Sequence, residues 1–373
     1  MAKACYIHIP FCESICSYCD FCKVFYREDL AASYLERLEQ EIKQKYQGEV
    51  LDTLYFGGGT PSSLSPSLLK RLFSLCSLFS LAPSCEITME ANIESLTEEK
   101  IKMMKEFGVN RVSLGMETTV SSLQQVLERP FSKESFEKTY SLLRKHGISN
   151  INVDLMYALP CETLDDLKTD LDFLCSLQVP HISTYSLILE EHTKLKIQKI
   201  KPIAEELDLA MYQEIEKRLK QEGYQHYEIS NFSKEGYLSR HNLTYWKNEE
   251  YYGFGLGAAS YLFPYRRGNT KSLTKYLQGE FSFSEEKVLR EDAMDYEVML
   301  GLRLMRGIDK KAFQKKYGVC LSSVYDYSSL VEKKVLKETS SFVALKQKYY
   351  YVLNEVIIAF LDRKRETVAN KCF

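Results

Sequence analysis

The chain has 373 residues, which at roughly 100–200 residues per domain predicts two domains or one large domain with an appendage. Lys and Arg total 49 against 51 for Asp and Glu, so a strongly basic nucleic-acid footprint is absent, and 45% hydrophobic residues exclude wholesale disorder. No apolar run reaches the roughly 18 residues that a membrane-spanning helix needs, and Met1 leads directly into a strand-like stretch. These features predict a soluble intracellular protein.

Short apolar runs alternate with amphipathic segments through the first half. Strands are predicted at Cys5–Ile9, Thr53–Phe56, Glu86–Glu90, Arg111–Met116, Ile151–Met156 and Ile182–Leu189. Helices are predicted between them at Leu30–Tyr46, Pro66–Phe79, Glu98–Phe107, Ser121–Leu127, Lys133–His146 and Leu164–Leu177. Phe136, Tyr140 and Leu143 follow the helical period, and Gly108 and Gly147 sit where helices end. Six repeated strand–helix units imply right-handed crossovers and a parallel sheet, either doubly wound or an incomplete (β/α)6 barrel. Periodicity does not choose between the two.

After about Glu190 the alternation stops. Ala204–Gln221 reads as an amphipathic helix, and Gly223–Gly268, rich in Tyr and Gly, reads as turns, short strands and loops. Helices are then expected at Asp292–Arg303, Lys310–Tyr317 and about Ser322–Lys333, a β-hairpin at Phe342–Leu353 and a last helix at Glu355–Leu361. Three helices and a hairpin predict a small winged-helix-like domain. The expected division is 1–190, 191–284 and 285–373.

Four of the 11 cysteines fall between Cys12 and Cys22, directly after the first strand. Cys5, Cys76, Cys85, Cys161, Cys175, Cys320 and Cys372 are scattered and are most simply small buried hydrophobes. A tight thiol cluster in a reducing compartment points to metal or redox chemistry. Cys12, Cys16 and Cys19 have the spacing C-x3-C-x2-C, and three thiolates in one loop can hold three irons of a [4Fe–4S] cube while leaving the fourth open. Zinc is the competing reading, with Cys22 as a fourth ligand, although structural zinc sites commonly pair C-x2-C with a distant second pair.

The cysteine spacing, with Tyr18 before the last Cys, resembles the radical S-adenosylmethionine superfamily. Tyr6-Ile7-His8-Ile9-Pro10-Phe11-Cys12, Phe56-Gly57-Gly58-Gly59-Thr60-Pro61-Ser62, Met89-Glu90-Ala91-Asn92, Asn152-Val153-Asp154, Tyr227-Glu228-Ile229-Ser230-Asn231 and His241-Asn242-Leu243-Thr244-Tyr245-Trp246 resemble its coproporphyrinogen III oxidase-like subfamily. Within that subfamily they are most similar to the haem-chaperone (HemW-type) branch, in order from Tyr6 to about Gly318. The resemblance implies an incomplete (β/α)6 TIM-like barrel with an α+β extension and the small C-terminal domain. It also implies a [4Fe–4S] cluster on Cys12, Cys16 and Cys19, and S-adenosylmethionine contacts from Tyr6, Tyr18, Gly58, Gly59, Thr60, Glu90, Glu117, Arg129 and Asp154. His241 would take haem for delivery to respiratory cytochromes, in a cytoplasmic protein peripheral to the inner membrane.

Residue chemistry agrees in part. Consecutive glycines let a ligand touch backbone, a carboxylate at a barrel strand end faces the ligand side, and Arg129 could fork onto a carboxylate. Asp154, in an apolar strand, needs a partner. On residues alone His241 is better read as a satisfied histidine in an aromatic core, and only the resemblance turns it toward haem, while His8 is expected to make a supporting hydrogen bond. Gly115-Met116-Glu117, Glu128-Arg129-Pro130-Phe131, Ile93-Glu94 and Ala259 depart from the subfamily's usual words, and Cys22 reads as a bystander. The alternative function is an oxygen-independent coproporphyrinogen III oxidase, against which stands the short segment of 11 residues before Cys12.

Overall fold

The computed structural model describes residues 1–365, so Cys372 lies outside the described residues. The chain forms two compact units. The first comprises Met1–Gln225, Ser230–His241 and Glu250–Glu286, and the second comprises His226–Ile229, Asn242–Glu249 and the chain from Lys287 onward.

Six parallel strands build the first unit: β1 (Ala4–Ile9), β2 (Leu51–Gly58), β3 (Leu81–Asn92), β4 (Arg111–Glu117), β5 (Asn150–Tyr157) and β6 (His181–Ser186), hydrogen-bonded in sequence order. The helices between them are α1 (Glu28–Lys45), α2 (Pro66–Ser74), α3 (Glu98–Glu106), α4 (Ser121–Leu127) and α5 (Lys133–Lys145), then α6 (Leu164–Ser176). Their starts are set by side-chain caps: Ser65, Thr97 and Ser132 accept from backbone N–H groups, and Thr163 with Asp166 closes a capping box. The barrel is incomplete because β1 and β6 do not pair with each other. A parallel strand β8 (Tyr251–Phe254) adds to β1, and an antiparallel strand β7 (Asn231–Ser233) adds to β6. The antiparallel strands β9 (Ala259–Leu262) and β10 (Tyr265–Asn269) continue the sheet beyond β8.

Alternation along each strand separates two environments. One face carries Ile7, Ile9, Leu54, Phe56, Met89, Val112, Leu114, Val153 and Leu155, all buried, with Phe56 meeting Phe73 of α2 edge-on. The other face is polar and lines the lumen. Tyr6, Tyr55, Thr88 and Arg111 share one level across adjacent strands. Glu90, Ser113, Asn152 and His181 share the next, and Asn92, Gly115, Asp154 and Ser183 the one above it.

The second unit carries helices Arg290–Gly301, Lys310–Tyr317 and Leu353–Leu361 and a three-stranded antiparallel sheet of Ile308–Asp309, Phe342–Leu345 and Leu336–Glu338, a winged-helix-like arrangement. Asp309 caps the second of these helices, and Gly318, at φ 69°, ends it. Three local expectations are corrected. The predicted helix Ser322–Lys333 is two short helices, Leu321–Val324 and Ser328–Glu332, because the intervening chain turns so that the Asp326 carboxylate accepts from Ser328. The hairpin pairs Leu336–Glu338 with Phe342–Leu345, while Gln347–Val352 is a 3-10 turn. Arg240–Trp246, expected among loops, is a helix.

Candidate functional site

The site is assembled at the C-terminal ends of β1 to β6. Beyond β1 the chain folds so that Phe11–Cys12 pairs in parallel with Val24–Phe25, which closes the cysteine loop at its base. Val24 N–H donates to Pro10 O and Tyr26 N–H to Cys12 O, both at 2.8 Å. The middle of the loop is tied to α4: Ser17 Oγ donates to Val126 O at 2.7 Å and Ser17 N–H to Leu127 O at 3.2 Å. Tyr18 packs on an apolar cluster of Leu123, Leu127, Met156, Leu159, Leu187 and Leu195. Cys12 is buried and Cys16 and Cys19 are half-buried, all three as free thiols. Burial pushes the Cys12 thiol up to about 11 and raises those of Cys16 and Cys19. A metal that binds them must therefore displace protons.

The Gly-rich turn after β2 lies against this loop. Thr60 N–H donates to Phe11 O at 2.8 Å, and Thr60 Oγ1 sits 3.8 Å from Cys12 Sγ. A Cβ on Gly59 would fall 2.7 Å from the Pro10 carbonyl carbon and 2.9 Å from Cys12 Sγ, so only glycine lets the turn approach the thiol. Gly58, at φ 119°, directs its N–H to Glu90 Oε2 at 2.9 Å, and Tyr55 hydroxyl donates to Glu90 Oε1 at 2.8 Å. Burial nevertheless raises the Glu90 carboxyl to about 7.

Glu117 and Arg129 form the other wall. Their side chains are 8% and 11% exposed and meet at 2.9 Å, with Glu117 in the left-handed region at φ 59°. Arg129 also donates to Gly115 O at 3.2 Å, to Tyr18 hydroxyl at 3.5 Å and to Asn92 Oδ1. Glu117 Oε2 and Arg129 Nε are buried with no hydrogen-bond partner. Burial raises the Glu117 carboxyl to about 7 against the opposing pull of Arg129. Asp154 accepts from Asn152 Nδ2 at 2.9 Å and Ser113 Oγ at 3.1 Å, and burial raises it too. Glu117 and Asp154 thus face one guanidinium, with Glu90 in turn facing Asp154, an environment that favours a cationic ligand.

At the opposite end of the lumen lies His241, 1% exposed. Its Nδ1 is 2.8 Å from Thr53 Oγ1, its backbone N–H donates to Glu86 at 3.0 Å, and its ring stacks on Tyr55 at 4.9 Å. Burial lowers the imidazole to about 3. Tyr6 hydroxyl is 3.0 Å from His8 Nδ1, and His8 Nε2 is 2.7 Å from Cys22 O, so His8 braces the loop from below. Cys22 Sγ faces the Lys271 carbonyl at 3.8 Å.

The structure brings Tyr18, Glu117 and Arg129 into direct contact, and joins Glu90 to Gly58 and Thr60 to Cys12. His241 is set apart from them, deeper in the barrel. Among the described residues no three His, Cys, Asp or Glu side chains gather closely enough to grip a single metal ion. Sequence reasoning missed Tyr55, Asn92, Ser113, Asn152 and His181. The signal was the two-residue alternation of polar side chains in strands that a fully buried parallel sheet would fill with apolar ones.

Comparison with known proteins completes the picture. Residues 6–174 match the radical SAM superfamily, and residues 288–348 match the HemN C-terminal domain. Proteins named heme chaperone HemW are similar along nearly the full chain. That of Lactococcus lactis is 36% identical, covering 95% of this chain and 96% of its own length, and that of Bacillus subtilis is 37% identical, covering 96% and 99%. In fold, the chain resembles the coproporphyrinogen III oxidase HemN of Escherichia coli, with a TM-score of 0.84 at 22% identity, covering 96% of this chain and 90% of that one. With the cysteine loop at the mouth of a six-stranded incomplete barrel and relatives matched end to end, the chain belongs to the radical SAM superfamily and, within it, to the HemW family.

Proposed function

We propose that this protein is a haem chaperone that carries a [4Fe–4S] cluster on Cys12, Cys16 and Cys19, holds S-adenosylmethionine in the barrel mouth, and takes up haem through His241 for delivery to membrane cytochromes. The observation that carries the reading is the pair of buried orphaned atoms, Glu117 Oε2 and Arg129 Nε, beside three free thiols. They offer one acceptor and one donor to a ligand that brings both an ammonium and a carboxylate, as the methionine end of S-adenosylmethionine does. Glu90 and Asp154 add negative charge for its cationic groups. Gly59 keeps that turn in contact with Cys12. When bound, a cluster held by three thiolates supplies an open iron for coordination.

Haem uptake rests on the family name and on His241. Its imidazole is neutral throughout the physiological range, the form that ligates iron. No helix among the described residues is long and apolar enough to cross a membrane, so contact with membrane cytochromes would be peripheral.

The test is anaerobic purification, iron and sulfide analysis, and titration with haem. The expected result is a brown protein with a Soret shift on haem addition that His241→Ala abolishes. A colourless protein holding one zinc ion, or an unaltered Soret shift in His241→Ala, sinks the corresponding part of the reading. Release of carbon dioxide from coproporphyrinogen by the reduced protein would instead establish the oxidase.

A further inference from the structure

Strand β5 puts Asn152 and Asp154 on its lumen face, and register sets Ser113 of β4 and His181 of β6 on either side of Asn152. The Asn152 amide is engaged at both ends. Its Nδ2 donates to Ser113 Oγ at 2.7 Å and to Asp154 Oδ1 at 2.9 Å, which uses both of its hydrogens. Its Oδ1 accepts from Ser183 Oγ at 3.0 Å and stands 2.6 Å from His181 Nδ1. Burial and the nearby Arg111 charge keep the His181 imidazole neutral, so its single N–H lies on Nδ1 and points at that oxygen. Ser113 Oγ, having accepted from Asn152, gives its own hydrogen to Asp154 Oδ2 at 3.1 Å. From His181 through Asn152 and Ser113 the donors therefore run one way and end on both oxygens of Asp154, each bond polarising the next. Ser113, Asn152 and His181 are buried, whereas Asp154 is only half-buried.

We propose that Asn152, with its amide oriented by His181, is a positioning residue that presents Asp154 as an anion to the ligand in the barrel mouth. This rests on the reading above, in which that ligand is S-adenosylmethionine. An ionised carboxylate accepts and never donates, so the ligand groups it takes are an ammonium or hydroxyls. Arg129 favours the charge on Asp154, while Glu90, Glu117 and the Tyr55 phenol lie close enough to feel it. The two donors offset the burial of the carboxylate from within the lumen. Were His181 to carry its proton on Nε2, the amide would turn over to donate to Nδ1. Its oxygen would then face the Asp154 carboxylate, and the anion would lose its support. The tautomer of one buried histidine thus governs an acceptor two side chains away.

The test is a double-mutant cycle on the anaerobically reconstituted full chain, with S-adenosylmethionine affinity read by equilibrium dialysis. Asn152→Leu removes a donor to Asp154 and is expected to weaken binding about tenfold, the worth of one hydrogen bond to a charged group. Asp154→Asn should weaken it at least as much. In the Asp154→Asn background, Asn152→Leu should cost less than about twofold, because its effect passes through the carboxylate. A merely structural loss would repeat in full. Near-UV circular dichroism checks the fold, and Ser113→Ala, which removes the other donor and leaves the His181 contact in place, runs the same cycle with a smaller disturbance. Independently, 15N NMR of histidine-labelled protein, with His181 assigned by its loss in His181→Gln, should show a neutral ring protonated on Nδ1. Unchanged affinity in Asn152→Leu and Ser113→Ala, full additivity with Asp154→Asn, or a His181 protonated on Nε2 overturns the proposal alone. Absence of S-adenosylmethionine binding in the wild type overturns the functional reading and the proposal with it.

Discussion

At the mouth of the barrel Glu117 Oε2 and Arg129 Nε are buried without partners, whereas at the opposite end the Glu86 carboxylate accepts the N–H groups of both Arg240 and His241 and Thr53 meets His241 Nδ1. Both ends are lined by polar side chains from the same strands. The mouth keeps acids whose burial costs it stability, Glu90 and Glu117, each raised to about 7. The His241 end pairs the charged and histidine groups with one another, leaving Thr88 Oγ1 as its unpartnered atom, and Tyr55 stacks on the imidazole. Unsatisfied buried groups persist where a ligand completes them, while satisfied ones define packing. The contrast separates a charged pair left incomplete from a histidine already held by its neighbours.

The strongest way to break that contrast is to remove Arg129. Arg129→Ala strands the Glu117 carboxylate in a buried position, and losing one partner of a buried ion pair typically costs about 3–5 kcal/mol. The cost should depend on pH. In the wild type the Glu117 carboxyl, at about 7, is protonated at pH 5 and ionised at pH 8, and without the guanidinium it rises further, so the loss at pH 8 should exceed that at pH 5 by up to about 1.4 kcal/mol. Urea unfolding at the two pH values measures this. An equal loss at both would show that Glu117 is not the group left stranded.

Much of this was legible in the sequence, and the division follows physical lines. The cysteine loop is a feature of covalent spacing, visible in Cys12, Cys16 and Cys19 without any fold. The strands and helices of the barrel announce themselves by period, and Ser121–Leu127 and Lys310–Tyr317 match to the residue. What stayed hidden lies between strands. The level shared by Glu90, Ser113, Asn152 and His181 exists only once register is set, and nothing in the local chain pairs Tyr55 with His241. Arg129 was singled out for a ligand carboxylate, yet the partner the fold gives it is Glu117, a residue marked in the sequence as a ligand contact and a departure but not as its partner. The helix at Arg240–Trp246 is seven residues long and rich in aromatic and β-branched or polar residues, too short and too weak in propensity to register.

A second, smaller effect sharpens the picture of the mouth. The folded Glu90 carboxyl is raised from 4.5 to about 7, so its contribution to stability is complete below about pH 4.5 and is lost as pH rises through about 7. Glu90→Gln carries no charge to bury. Its amide can donate to the Tyr55 hydroxyl, which rotates to accept, while its carbonyl oxygen takes the Gly58 N–H. The variant should therefore gain on the wild type by about 2 kcal/mol between pH 5 and pH 8. Parallel stability curves for the two proteins would mean that Glu90 is ionised in the folded state at ordinary cost.

The smallest effect belongs to the closed end. Thr53→Val keeps the shape of the side chain and removes the hydroxyl that faces His241 Nδ1 at 2.8 Å. A neutral buried hydrogen bond of this kind is worth about 1 kcal/mol. Because the imidazole is held neutral, down to about pH 3, the loss should be the same at pH 5 and pH 8, unlike the two changes at the mouth. A pH-dependent loss in Thr53→Val would show that His241 titrates in the folded state, and the distinction between an open and a closed end of the lumen would fail at that residue.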